Sequence, residues 1–229
     1  MWTVSTYAQM TPRKASDGSA RRTRRARTYH HGDLRNALIQ TALAMMPDTG
    51  VQALSLREVA RRAGVSHSAA YRHFADKEAL LARIATEGFE QLTAMMRAAG
   101  AAHARDPMRR LRAIGLAYVE FGRRHAQHLQ IMFGSQIGAF ESHPELARAA
   151  SEAFEELAGT VRAGEHSGAM RTGDERAATL AAWALVHGFA MLLAGGRVRL
   201  EHPTESDLAS LAERVVMLLQ TGLASRATP

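Results

Sequence analysis

Apolar side chains return every three or four positions through most of the chain, the spacing that gathers them on one face of an α-helix. A first helix is predicted from Gly32 or Asp33, with Leu34, Leu38, Ala42 and Met45 on one stripe and Ile39, Leu43 and Met46 widening it. Pro47-Asp48-Thr49-Gly50 breaks it. Further on, Asp76 caps a helix from Lys77 to about Ala99 that carries Leu80, Ile84, Leu92 and Met96, with Phe89 slightly off the stripe. Asp106-Pro107 opens another, with Leu111, Ile114, Tyr118 and Phe121 in register. A break near Arg124 to His128 precedes a short apolar piece, Leu129 to Phe133. Residues 134–142 read as a loop, and His143-Pro144 starts a helix reaching about Arg162. Two more are predicted over Asp174–Ala194 and Thr204–Leu223. No segment alternates with period two, so the expected fold is all-α with about nine helices.

Between Ser55 and Phe74, the segment SLREVARRAGVSHSAAYRHF has the pattern of a helix-turn-helix. Ser55 and Glu58 form a capping-box pair, and Leu56, Val59, Ala60 and Ala63 lie at helical spacing. Gly64 can take the left-handed conformation that ends a helix, and Ser66 can cap the next one. On the second helix, His67 to His73, the residues His67, Ser68, Tyr71 and Arg72 share one face while Ala70 and Phe74 point the other way. A small, polar and aromatic outer face is what a DNA major groove accepts.

The net charge of +7 is uneven. Residues 1–29 hold seven basic side chains against Asp17 alone, while the acidic and basic groups from Leu81 onward balance. A basic arm, residues 1–28, is therefore expected to lie unstructured before the helix-turn-helix and to reach along a phosphate backbone. The chain has no cysteine, which excludes disulfides and thiolate chemistry. Its first ten residues lack the apolar run of a signal peptide, and no hydrophobic segment follows the paired arginines, so a cytoplasmic location is expected. Twenty uncharged residues between Arg176 and Arg197 could span a bilayer by length. Their alanine-rich composition, interrupted by Thr179, His187 and Gly188, fits a helix buried between its own core and a second subunit better.

No catalytic constellation assembles. His125 and His128, with Glu120 nearby, are the best metal candidate, but no further ligand is identifiable, so no metal and no cofactor are expected. His187 on its apolar helix reads either as a hydrogen-bonded core residue or, one turn from Trp183, as part of a pocket wall.

From Thr28 to Leu81 the chain resembles the tetracycline-repressor (TetR) family of bacterial transcription regulators, with Gly64-Val65-Ser66, Tyr71, His73-Phe74 and Lys77-Glu78 at the family's spacing. The resemblance implies a DNA-binding domain over residues 29–80 and an effector-binding and dimerisation domain over 81–225. Carried over, Ser66, His67, Ser68 and Arg72 would face bases or nearby phosphates. Tyr71, His73 and Lys77 would grip phosphates, with His73 at the edge of the exposed face. Tyr29, His30 and His31 would anchor the first helix on the backbone, and Ser55 is also in the expected DNA-binding set.

Downstream the resemblance fades, except that Trp183 with Val186-His187-Gly188 looks like the Trp…His-Gly signature of one effector-domain subgroup. The family precedent implies a homodimer built on the last two long helices, a palindromic duplex operator and a small apolar effector. The residues expected around that effector are Phe89, Tyr118, Phe121, Phe154, Trp183 and His187, with Tyr118 and His187 as polar handles. A DNA-binding protein without an effector, constitutive or architectural, is the competing expectation; release of DNA by a small molecule separates the two.

Overall fold

The computed structural model describes residues 34–171, 173–198 and 204–223. Tyr29, His30, His31 and the basic arm lie outside the described residues. Among those described, the fold is all-α, with nine α-helices, one short 3-10 turn and no strand. In the N-terminal head, α1 (Leu34–Ala53) contains Pro47 and leaves helical geometry at Gly50, whose φ of 69° only a glycine adopts readily. It is followed by α2 (Leu56–Arg62) and α3 (His67–Tyr71). The body consists of α4 (Lys77–Ala101), α5 (Pro107–Arg124), α6 (Ala126–Met132), α7 (Pro144–His166), α8 (Glu175–Ala194) and α9 (Glu205–Leu223).

Most helix starts are fixed by a side-chain oxygen on a free backbone N–H. Ser55 accepts from Glu58, Ser66 from Ala69, Asp76 from Ala79, Asp106 from Arg109 and Asp174 from Ala177. The Ser55–Glu58 capping box is only half formed. The Glu58 carboxylate binds Arg61 instead of turning back to the Ser55 N–H, because an arginine one turn along offers a charged donor. Helix α3 is also shorter than predicted: the Phe74 and His73 N–H groups both close onto the Ala70 carbonyl and tighten the last turn.

The long helix α4 starts in the head and packs against α5, α6 and α7 of the body, making it the structural link between the two. Helix α5 lies across α8 at close range. A Cβ on Gly122 would stand 2.8 Å from the Ala190 side chain, so the small residue there sets the approach of the two helices. Helix α8 buries Ala178, Ala182, Val186 and Ala190, while its opposite side leaves Leu180 and Leu192 exposed. On α9, Ala212 and Val216 face the core and Met217 and Leu218 face outward. The helix break expected near Arg124 to His128 occurs at His125, where the backbone turns between α5 and α6.

Candidate DNA-reading surface and ligand cavity

Ala69, Ala70 and Phe74 pack α3 onto the head core, which turns the opposite side of the helix outward. Ser66, His67, Ser68, Tyr71 and Arg72 are exposed, and His73 is half-buried. The His67 and Tyr71 rings meet edge to face at 4.5 Å, one helical turn apart, so the two side chains brace each other on the surface. Ser66 shares a hydrogen bond with Ser68 (3.1 Å) while its oxygen caps the helix. Ser55 is exposed at the start of α2, with Arg57, Arg61 and Arg62 exposed along the same helix. Lys77 is half-buried, and its Nζ donates to the Gln52 carbonyl (2.8 Å), pinning the start of α4 to the end of α1. An ammonium carries three donors, so this bond leaves two for another acceptor.

Behind the head, α4, α5, α7 and α8 line a partly open cavity of about 190 Å³, to which Leu219 of α9 also contributes. Phe89, Tyr118, Phe154 and Trp183 are in its wall. Phe121 is not. It is fully buried one turn farther along α5, tilted against the His125 ring at 5.1 Å. His187 also stands outside the lining. It sits behind Tyr118, whose hydroxyl donates to its Nδ1 (2.9 Å), and its ring contacts Phe133 at 4.3 Å. Burial pushes the Tyr118 phenol well above its ordinary value, a Trp183 hydrogen bond opposing it weakly. Burial also holds His187 below the ordinary histidine range, favouring the neutral ring.

Phe133 and Phe140 complete the wall, although neither was singled out in the sequence. Phe133 ends the helical run of α6, and Phe140 belongs to the segment between α6 and α7, where no periodicity identifies a buried face. Phe140 meets Phe89 edge to face at 6.2 Å. On either side of it, the same segment grips the first turn of α4. The Gly138 N–H (3.0 Å) and His143 Nε2 (2.9 Å) both donate to Glu78 Oε1. The His143 bond, then the Gly138 bond, hold the Glu78 carboxyl below the usual carboxylate range. His125 and His128 do not form a ligand set: Gln91 Nε2 lies 3.0 Å from His125 Nε2, and no group of three potential metal ligands occurs among the described residues.

Two family descriptions fit this architecture in order along the chain. Residues 38–84 match the model for bacterial regulatory proteins of the tetR family, and residues 111–219 match the tetracyclin repressor-like C-terminal domain. A structure of a protein of unknown function from Rhodococcus sp. RHA1 is 32% identical, with a TM-score of 0.72, covering 87% of this chain and 100% of that one. A tetR-family regulatory protein from Rhodococcus RHA1 shares the fold at 22% identity, with a TM-score of 0.69 and coverage of 84% and 98%. The class C tetracycline repressor of Escherichia coli is 45% identical over 51 residues, a match spanning 22% of this chain and 23% of that protein. The chain belongs to the tetR family of bacterial regulatory proteins. It is a DNA-binding transcriptional regulator, and the family's members are regulators rather than enzymes.

Proposed function

We propose that this regulator binds a palindromic operator as a cytoplasmic homodimer and lets it go when a small apolar effector enters the cavity. The observation that carries this reading is that one rigid helix serves both places. Helix α4 begins at the head, where Lys77 ties it to α1, and contributes Phe89 to the cavity wall. Repression with effector-controlled release follows if the ligand-bound body favours a head spacing that no longer matches successive major grooves.

The grip on Glu78 supplies a second route. Phe140 lies between Gly138 and His143, so a ligand that displaces its ring pulls at both hydrogen bonds to the start of α4. We further place Trp183 and His187-Gly188 in the Trp…His-Gly subgroup. Supporting that placement, Trp183 lines the cavity and His187 orients the Tyr118 hydroxyl beside it.

The dimer reading rests on the outer face of α8 and α9. Helix α8 has a mean hydropathy of 1.8 over a window only 28% buried, enough by length and composition to cross a membrane. The small residues Ala181, Ala184 and Gly188 lie on its outer side between Leu180 and Leu192. That contour admits a partner helix at close range, and the exposed Met217 and Leu218 of α9 extend it. A four-helix interface across a two-fold axis covers this surface without lipid.

Selection of bound sequences from a random duplex library tests the reading. An inverted repeat with half-sites about one helical turn apart, roughly 34–36 Å, is expected. Arg72→Ala or His67→Ala should change the selected bases, whereas Tyr71→Phe should weaken binding to all sequences alike. Binding that ignores all three substitutions contradicts the proposed docking.

A further inference from the structure

The lining of the cavity restricts what it can hold. Its side chains offer polar atoms at only two positions, the Tyr118 hydroxyl and the Trp183 indole N–H, and none of them is charged. Both belong to one cluster whose bonding is largely internal, since the hydroxyl already donates to His187. The rest of the wall is aliphatic or aromatic. Phe89 and Phe133 meet at 5.5 Å with ring planes 72° apart, and Trp183 stands 5.9 Å from Phe133 and 6.2 Å from Phe154. Ring faces and edges therefore line the space around a common volume.

We infer that the effector is an uncharged, mainly hydrocarbon molecule with an aromatic ring, about ten non-hydrogen atoms in size, bearing at most one hydroxyl that donates to the Tyr118 oxygen. This rests on the reading of the cavity as the effector site. Size follows from comparison: an apolar cavity of about 150 Å³ accepts benzene, so about 190 Å³ accepts a ring with a short alkyl substituent. Shape follows from the rings, which present edges and faces suited to another aromatic plane. Charge is excluded by the wall. A carboxylate or phosphate moved there loses its hydration and meets no cation, and neutral His187 offers none from behind Tyr118. A hydroxyl is tolerated because it can share the Tyr118 oxygen, which gives its proton to His187, with the Trp183 indole N–H.

Three compounds of nearly equal shape separate these requirements: 4-propyltoluene, 4-propylphenol and 4-propylbenzoate. Each is titrated by calorimetry into the full-length protein at pH 7.5, and release of the selected operator is followed in parallel. The toluene and the phenol should bind one site per chain with Kd of about 1–100 μM. The phenol should be tighter by about two- to tenfold, a difference that Tyr118→Phe should narrow. The benzoate should be weaker than either by at least about a hundredfold.

Ala150→Phe, which fills the cavity from α7, should weaken binding of both neutral compounds by at least about tenfold; circular dichroism confirms that the variant folds. Benzoate binding as tight as the phenol would overturn the inferred class while leaving the effector reading intact. Binding of the neutral pair without operator release would leave the class standing and overturn the effector reading. Failure of all three to bind would overturn both.

Discussion

Leu218 and Val216 sit two residues apart on α9 with opposite surroundings, and replacing each by alanine should have opposite consequences. Leu218 is 70% exposed and Val216 fully buried. If the outer face of α8 and α9 is the dimer interface, Leu218→Ala removes three carbon groups from the surface shared with the partner. At roughly 0.8 kcal/mol per buried CH₂, scaled by the 70% exposure that association can cover, the loss is about 1.7 kcal/mol per protomer. Two-fold symmetry doubles it to about 3.4 kcal/mol, or roughly 300-fold in the dimer dissociation constant. Full burial is assumed, so this is a ceiling.

Analytical ultracentrifugation across a concentration series measures the constant directly, and thermal melting measures the fold. Leu218→Ala should raise the dimer dissociation constant by about ten- to 300-fold with little change in the melting of the monomer. Val216→Ala should lower the melting temperature instead, because it empties a site packed against Gly115 of α5. A dimer constant unaltered by Leu218→Ala and by Leu192→Ala would refute the placement of the interface on this face.

Glu78→Ala removes the acceptor for both Gly138 and His143, so the loss of operator affinity caused by a bound ligand should shrink by at least about fivefold; equal coupling in the variant would show that the segment transmits nothing. Burial and the neighbouring His125 lower the His128 pKa to about 4, below its unfolded value of 6.5. The unfolded chain thus binds the extra proton first, and stability that is complete above pH 6.5 should fall by up to about 3 kcal/mol by pH 4. His128→Gln should flatten the pH dependence of the melting temperature over that window, and an unchanged slope would place the titration elsewhere. Deleting residues 1–27 should reduce the salt dependence of operator binding by about 0.9 log units for every phosphate the arm neutralises, while preserving the selected sequence. An unchanged slope would mean that the arm does not touch DNA.

The head was legible because its signals are local. A serine before each short helix, an aspartate before α4, a glycine at the turn and Ala70 under α3 act over three or four residues, and the structure forms each of these features. Where a local signal had a competitor it was misleading: Glu58 has the spacing to complete a capping box, yet Arg61 takes its carboxylate. The cavity was only partly legible. Helical register put Tyr118 and Phe121 on the inward stripe of α5, but inward includes both core and cavity wall. Phe121 shares Tyr118's stripe and lies past the cavity, beside His125. Phe140 was invisible because its burial comes from packing on Phe89, 51 positions away, and a loop carries no period to announce it. The Tyr118–His187 bond spans 69 positions, so only the fold could show that the two residues expected as polar handles bond to each other.

The central claim is that occupation of the cavity weakens operator binding. Fluorescence anisotropy of the selected operator, titrated with protein at rising concentrations of 4-propylphenol, measures this directly. The account predicts a saturable loss of affinity, about 5- to 150-fold for a typical coupling of ~1–3 kcal/mol, with half-saturation at the calorimetric Kd. It also predicts that Trp183→Ala reduces this loss more than it reduces operator affinity in the absence of the compound. Saturation of the cavity by the compound with no change in operator affinity would contradict the account and leave a regulator that holds its DNA without an effector.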